Sequence, residues 1–184
     1  MSQRVMRIFK VLTALALAGV SLSSLPASAK AADLSDQSVT VLMNYAWQIL
    51  PKKFTLPSGK VIEVDKTKRD DVMIPTDLAR DIIKVARLSA HAQICKLNDK
   101  QIENYQTMIK RETDKKKWSD QQLLYISQLH LFTVMWLTGN VQIVDTEGEK
   151  KVVVDERKDS DQTCTDEQKA KVEEQINAYV KGSS

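Results

Sequence analysis

The stretch from Ser119 to Gly139 reads Ser-Asp-Gln-Gln-Leu-Leu-Tyr-Ile-Ser-Gln-Leu-His-Leu-Phe-Thr-Val-Met-Trp-Leu-Thr-Gly. It overlaps the run 121–144, which has no charged side chain, although Asp, Glu, Lys and Arg make up 28% of the chain. At about 100° per residue its apolar side chains point in every direction, which is typical of a helix enclosed by others. Ser119 and Gln122 match an S-x-x-Q capping box, and Gly139 is a typical stop. The pattern predicts a central buried helix at about 119–138.

His130 lies in the middle of this helix. A buried imidazole has a lowered pKa and is normally hydrogen-bonded to a neighbour. Gln128 is a nearby candidate, so the two residues form a candidate polar core site. We interpret His130 first as a core histidine with its hydrogen bonds satisfied. A functional role for the ring remains the alternative.

The first 29 residues have the pattern of a secretory signal peptide. Arg4, Arg7 and Lys10 form a positive n-region, 11–25 is an apolar run, and 27–29 is an A-x-A cleavage site. The apolar run is shorter than the about 20 residues that a membrane helix needs. We expect cleavage after this segment, export by the general secretory route to the periplasm or outside the cell, and no stable membrane insertion afterwards.

The mature chain, 30–184, is electrically balanced. The precursor carries a net charge of +3, and all of that excess comes from the basic residues of the signal. Removing them from the 27 Lys and Arg leaves as many basic residues as the 24 Asp and Glu. A nucleic-acid partner is therefore not indicated. The remaining length suits one mostly helical domain.

Both cysteines, Cys95 and Cys164, lie in the mature part. In an oxidising compartment such a pair predicts one disulfide. The alternative is metal ligation, because His91 and Cys95 are i, i+4 neighbours on one predicted helix. Zinc sites usually bring closely spaced ligand pairs from two places, and here only one such pair exists. The disulfide is the preferred interpretation, and no metal site is assigned.

Helical spacing and Pro, Gly and capping residues divide the rest of the mature chain. They predict a mainly α, five-helix single domain around the central helix, with two short β-hairpins that could pair into one small antiparallel sheet. The polar run 65–71 is expected to be a loop. The other helices are expected at about 39–50, 76–97, 99–113 and 165–180, and the hairpins at about 54–64 and 141–154.

Two of the predicted helices have informative faces. The helix at 99–113 carries a narrow apolar stripe made of Ile102, Tyr105, Met108 and Ile109. The helix at 76–97 places its basic residues within about 60° of one another, opposite its apolar face. This basic stripe is a candidate anion-binding ridge, and the alternative is an ordinary solvated helix face. Its members are Arg80, Lys84, Arg87 and His91.

Catalytic signatures are sparse in this sequence. It has no G-x-S-x-G, H-E-x-x-H, Walker or Rossmann motif, and it contains only 2 His and 5 Gly. No cofactor is indicated. The preferred hypothesis is an exported, non-catalytic interaction or ligand-binding module of the cell envelope, whose partner is an envelope protein or a small ligand. The alternative is a metal-dependent or His-dependent envelope enzyme that uses His130, with or without His91.

Overall fold

A computed structural model describes residues 34–141, 143–147, 150–155 and 164–182, with only the backbone of the two segments between 143 and 155. The predicted signal peptide, 1–29, lies outside the described residues, as does the turn at Gly148. The elements in chain order are α1 (Asp36–Ile49), β1 (Lys53–Thr55), β2 (Val61–Glu63), α2 (Arg69–Val72), α3 (Thr76–Ile94), α4 (Asn98–Asp114), α5 (Asp120–Leu137), β3 (Ile143–Glu147), β4 (Lys150–Asp155) and α6 (Asp166–Lys181). The mainly helical fold is confirmed.

Helix α5 is the central helix that the sequence predicts. At its start, the Gln122 N–H donates to Ser119 Oγ at 3.2 Å, and the Ser119 N–H donates to Gln122 Oε1 at 3.1 Å. This capping box satisfies two backbone N–H groups that would otherwise have no partner at the start of the helix. Helix α5 packs against α1, α3 and α4. The Tyr125 hydroxyl, fully buried, donates to the Met43 carbonyl at 2.9 Å and ties α5 to α1.

One face of α5 is open, contrary to the expected enclosure on every side. Leu131 has 50% of its surface exposed, whereas Ile126 and Leu129 are fully buried. Helix α5 therefore carries apolar residues on every side for two reasons. Most of the helix surface is core, and one strip of it lines a surface groove.

Helix α4 packs most of the predicted apolar stripe against the core: Met108 is buried, and Tyr105 and Ile109 are partly buried against the main cluster. Its buried residues are Asn104, Met108 and Glu112, which recur every four positions. Ile102 is 53% exposed, so its assignment to the core was wrong. The two polar residues are tolerated in the interior because each has partners: Glu112, for example, accepts hydrogen bonds from the Trp118 indole at 2.9 Å and from Lys115 at 2.7 Å.

A sixth helix, α2, occupies part of the run 65–71 that was expected to be a loop. It is a single turn in which the Met73 N–H donates to the Arg69 carbonyl at 3.0 Å. Val72 at its end is fully buried. Burial of the Val72 side chain holds this polar segment against the domain. The polar composition of the segment does not by itself indicate such packing.

Both hairpins form, but they are separate two-stranded sheets, so the pairing into one sheet was wrong. In the first hairpin Phe54 pairs with Ile62, and Gly59 adopts φ +84° in the turn. Ile62 is buried against the core. The hairpin is tied to the start of α5 because Gln121 Nε2 donates to the Glu63 carbonyl at 2.7 Å.

Helix α6 begins at the second predicted capping box, formed by Thr165 and Gln168. Just before it, Cys164 is joined by a disulfide to Cys95 at the end of α3, across 69 positions of sequence. The disulfide prediction is confirmed. In the part of the chain that the structure describes, no helix is long and apolar enough to cross a membrane.

Candidate binding groove between helices α4 and α5

A buried polar cluster joins α3, α4 and α5 around His130. His130 Nε2 lies 3.0 Å from Ser89 Oγ. The Asn104 amide nitrogen donates to Ser89 Oγ at 2.8 Å and to the Val85 carbonyl at 2.9 Å. Ser89 and Asn104 are fully buried, and His130 is nearly so. Ser89 of α3 thus links Asn104 of α4 to His130 of α5 in the core.

The hydrogen bond to Ser89 is compatible with either tautomer of a neutral imidazole. Ser89 Oγ accepts from Asn104 and retains a proton and a second lone pair, so it can either donate to His130 Nε2 or accept from it. Burial lowers the pKa of His130 from 6.5 to about 4. The ring is therefore uncharged at neutral pH.

The Ser89–His130 pair has the spacing of a nucleophile and its general base. Ser89 Oγ, however, belongs to a residue with 0% exposure, so a substrate has no route to it. Among the described residues, no carboxylate is hydrogen-bonded to His130 to orient it as a base. This arrangement suits a cross-link between helices better than nucleophilic catalysis.

Tyr105 continues the cluster toward the surface. Its ring lies against the imidazole, with 5.1 Å between the ring centroids of Tyr105 and His130 and a tilt of 51°. Its hydroxyl donates to Ser127 Oγ at 3.2 Å, which links α4 to α5 a second time. The aromatic ring thus holds His130 in place from the side that faces α4.

A groove of about 480 Å³ lies beside this cluster, between α4 and α5. Three apolar side chains on its walls are unusually exposed for their size: Phe54 at 40%, Ile102 at 53% and Leu131 at 50%. They come from the first hairpin, α4 and α5 respectively. The remaining lining residues are Gln101, Tyr105, Gln106, Leu124, Ser127, Gln128, His130 and Val134.

The described lining of this groove is uncharged. Among the described residues it includes no Asp, Glu, Lys or Arg, and the imidazole of His130 is neutral at pH 7 because burial lowers its pKa. Gln106 and Gln128 supply amide groups, whereas Gln101 uses its amide nitrogen to donate to Gln93 at 3.1 Å. The groove therefore offers apolar surface with a few neutral hydrogen-bonding groups.

His130 and Gln128, the candidate polar core site, both line the groove. No hydrogen bond joins them in the described part of the chain, and His130 is bonded to Ser89 instead. Ser89 lies 41 positions away in sequence, so spacing within one helix could not reveal it. The available signal was the small-residue face of α3 at Ser89 and Ala90, where another helix can approach closely.

The basic stripe of α3 is divided by its contacts. Arg80 donates to the Leu34 carbonyl and forms an ion pair with Asp36, and its side chain is only 15% exposed. It therefore fixes the start of α1. Lys84 lies 3.9 Å from Asp81 on its own helix. Arg87 and His91 make up the other half of the stripe.

The two histidines do not share a site. His91 lines a pocket with Cys95 and Cys164, whereas His130 lines the groove between α4 and α5. The pKa of His91 is lowered by burial and by the charge of Arg87. Within the described residues, no group of three or more His, Cys, Asp or Glu side chains could hold a metal ion.

These features define a mainly helical, disulfide-linked domain with a groove on one face of its central helix, whose lining is uncharged over the described residues. No family model, curated protein or solved structure matches the chain. Its function is therefore inferred from the groove and the pockets themselves.

Proposed function

We propose that this chain is an exported, non-catalytic protein of the cell envelope that binds a small, neutral and largely apolar ligand in the groove between α4 and α5. The observation that supports it is the convergence of three exposed apolar side chains, Phe54, Ile102 and Leu131, on the walls of one groove. Exposed apolar residues that converge in this way are typical of ligand or partner sites.

The size and charge of the groove favour a small neutral ligand over other occupants. A volume of about 480 Å³ lies within the range of about 300–1,000 Å³ found for small-molecule sites. A charged ligand would lose its hydration without gaining an opposite charge from the described lining residues, none of which is charged. The Gln106 and Gln128 amides can orient a single polar group on an otherwise apolar molecule.

Two features support export. The first 29 residues have the n-region, apolar run and A-x-A site of a signal peptide. The Cys95–Cys164 disulfide is typical of proteins in oxidising compartments. Expression of the full chain in a secreting host should yield an extracytoplasmic protein whose first residue, by mass spectrometry, is Lys30. A protein that keeps residues 1–29 in the cytoplasm would contradict export.

Ligand binding can be tested with N-phenyl-1-naphthylamine, a neutral dye that fluoresces in apolar surroundings. Titration of residues 30–184 should give saturable fluorescence. Ile102→Gln and Leu131→Gln should each weaken dye binding by about tenfold, the factor expected when a few tens of Å² of apolar contact are lost. Both side chains are at least half exposed, so the variants should fold normally.

Matched controls are available on the same surface. Ile49 and Val61 are each 44% exposed, and neither lines the groove. Ile49→Gln and Val61→Gln should leave dye binding unchanged. Absence of saturable binding, or an equal loss in groove and control variants, would contradict the proposed ligand site. Displacement of the dye by a protein rather than by small apolar molecules would assign the groove to a different occupant and contradict the proposal in the same way.

A further inference from the structure

A second pocket, of about 470 Å³, lies between α3 and α6 beside the disulfide. His91 and Ile94 line it from α3, and Lys171 and Val172 line it from α6. Both cysteines of the disulfide, Cys95 and Cys164, also line the pocket. The pocket is separate from the groove between α4 and α5, since the two share no lining residue.

The charge of the described lining of this pocket is one-sided. Among the described residues, the lining includes Lys171 and His91 but no Asp or Glu, and Gln168 and Gln175 add two neutral amides. Glu167 and Glu174 lie one turn away on α6. Neither forms an ion pair with Lys171 in the part of the chain that the structure describes.

The basic stripe of α3 leads toward the same place. Its first half is engaged within the protein, as Arg80 holds Asp36 and Lys84 lies near Asp81. Its second half, Arg87 and His91, continues toward the pocket that His91 lines. The lowered pKa of His91 leaves its ring neutral at pH 7, where it can donate one N–H. The single positive charge among the described lining residues, that of Lys171, matches one negative charge.

We propose that this pocket binds a small organic carboxylate, with the carboxylate group at Lys171 and His91 and a short apolar chain against Ile94, Val172 and the disulfide. The monoanion fits better than a phosphate dianion because Lys171 is the one full charge among the described residues of the lining. The proposal does not depend on the occupant of the groove between α4 and α5.

The test uses hexanoate as the probe and 1-hexanol as its uncharged counterpart. Amide NMR signals of ¹⁵N-labelled residues 30–184, with the disulfide intact, are followed during each titration. Hexanoate should cause saturable shifts at the end of α3 and the first half of α6, with a Kd on the order of 1 mM. Hexanol should bind at least about fivefold more weakly, because it has no charge for Lys171. Equal binding of the two probes would overturn the proposal.

Lysines on α6 provide the matched variants. Lys171→Gln should weaken hexanoate binding by about fivefold. Lys169→Gln removes a charge on the same helix that pairs with Asp166 at 3.6 Å and lies outside the pocket, so it should leave the affinity unchanged. Leu131→Gln, in the groove, should also leave it unchanged. No saturable shift beside the disulfide, or equal effects of the two lysine variants, would contradict the carboxylate site.

Discussion

His130 is a polar residue whose main contribution is to join three helices without carrying charge. Its Nε2 is bonded to Ser89 on α3, and Ser89 in turn accepts a hydrogen bond from Asn104 on α4. The acceptor Oδ1 of Asn104 is buried without a hydrogen-bond partner among the described residues. The cluster thus buries one unpaired acceptor, and burial keeps its imidazole neutral.

Stability should depend on pH through His130. The unfolded ring binds a proton below its ordinary pKa of 6.5, whereas the folded ring, with its pKa lowered by burial, does so only near 4. Between these values the unfolded state holds more protons, so the free energy of unfolding falls as the pH falls. At 1.36 kcal/mol per unit, the full loss is about 3 kcal/mol. Urea unfolding at pH 7.5 and at pH 4.5 measures most of it.

The variant His130→Gln supplies the comparison for this measurement. Gln keeps a hydrogen-bonding amide but does not titrate. Carboxylates and His91 titrate in both proteins, so their contributions cancel in the difference. The wild-type protein should lose about 2 kcal/mol more than the variant between the two pH values. Equal losses would show that the buried ring is not kept neutral by the fold.

Helix α4 illustrates how one element can bury two polar side chains and leave an apolar one exposed. Asn104, Met108 and Glu112 face inward, and Ile102 faces outward beside the groove. Hydrophobic periodicity identifies the helix and the burial of Met108, but it misplaces Ile102 and misses the two polar residues, because it ranks Ile above Asn and Glu. Partners from other elements reverse that ranking when they satisfy the polar side chains.

Two substitutions on α4 distinguish its faces by stability. Met108→Ala should lower the free energy of unfolding by about 2–4 kcal/mol, because Met108 is almost fully buried and its truncation leaves a cavity. Ile102→Gln should change it by less than about 0.5 kcal/mol, because Ile102 is half exposed. Chemical denaturation monitored by circular dichroism measures both. A cost for Ile102→Gln as large as that for Met108→Ala would place Ile102 in the core after all.

Apart from the Cys95–Cys164 disulfide, which the cysteine pair predicts across 69 positions, the features of this fold that the sequence could predict are local. The capping boxes at Ser119 and Thr165 and the turn at Gly59 involve residues within a few positions of each other, so pattern alone locates them. The partner of His130 lies 41 positions away on another helix, and the groove joins a hairpin to two helices. Such contacts depend on how the elements pack, which short-range patterns do not specify.

At the scale of the whole molecule, the main core and helix α6 are stabilised by different sets of contacts. The main cluster of buried residues surrounds α5 and draws on α1, α3 and α4. Helix α6 contributes a smaller cluster in which Val172 and Ile176 pack with Ala92 and Cys95. Polar bonds add to this attachment, since Arg111 donates to the Tyr179 carbonyl at 2.7 Å. The disulfide is the covalent link between α3 and the start of α6.

Removal of the disulfide should therefore lower global stability without detaching α6 under native conditions. The bond closes a loop across 69 positions, and in the chain-entropy model its loss costs about 4 kcal/mol. The double variant Cys95→Ala/Cys164→Ala should show that loss in urea unfolding. Amides of α6 near Ile176 should still exchange slowly with deuterium, because the packing and the Arg111 bond remain. If the α6 amides of the double variant exchange freely while those of α5 stay protected, the disulfide is the main attachment of α6. The carboxylate pocket between α3 and α6 would then exist only in the protein with the disulfide intact.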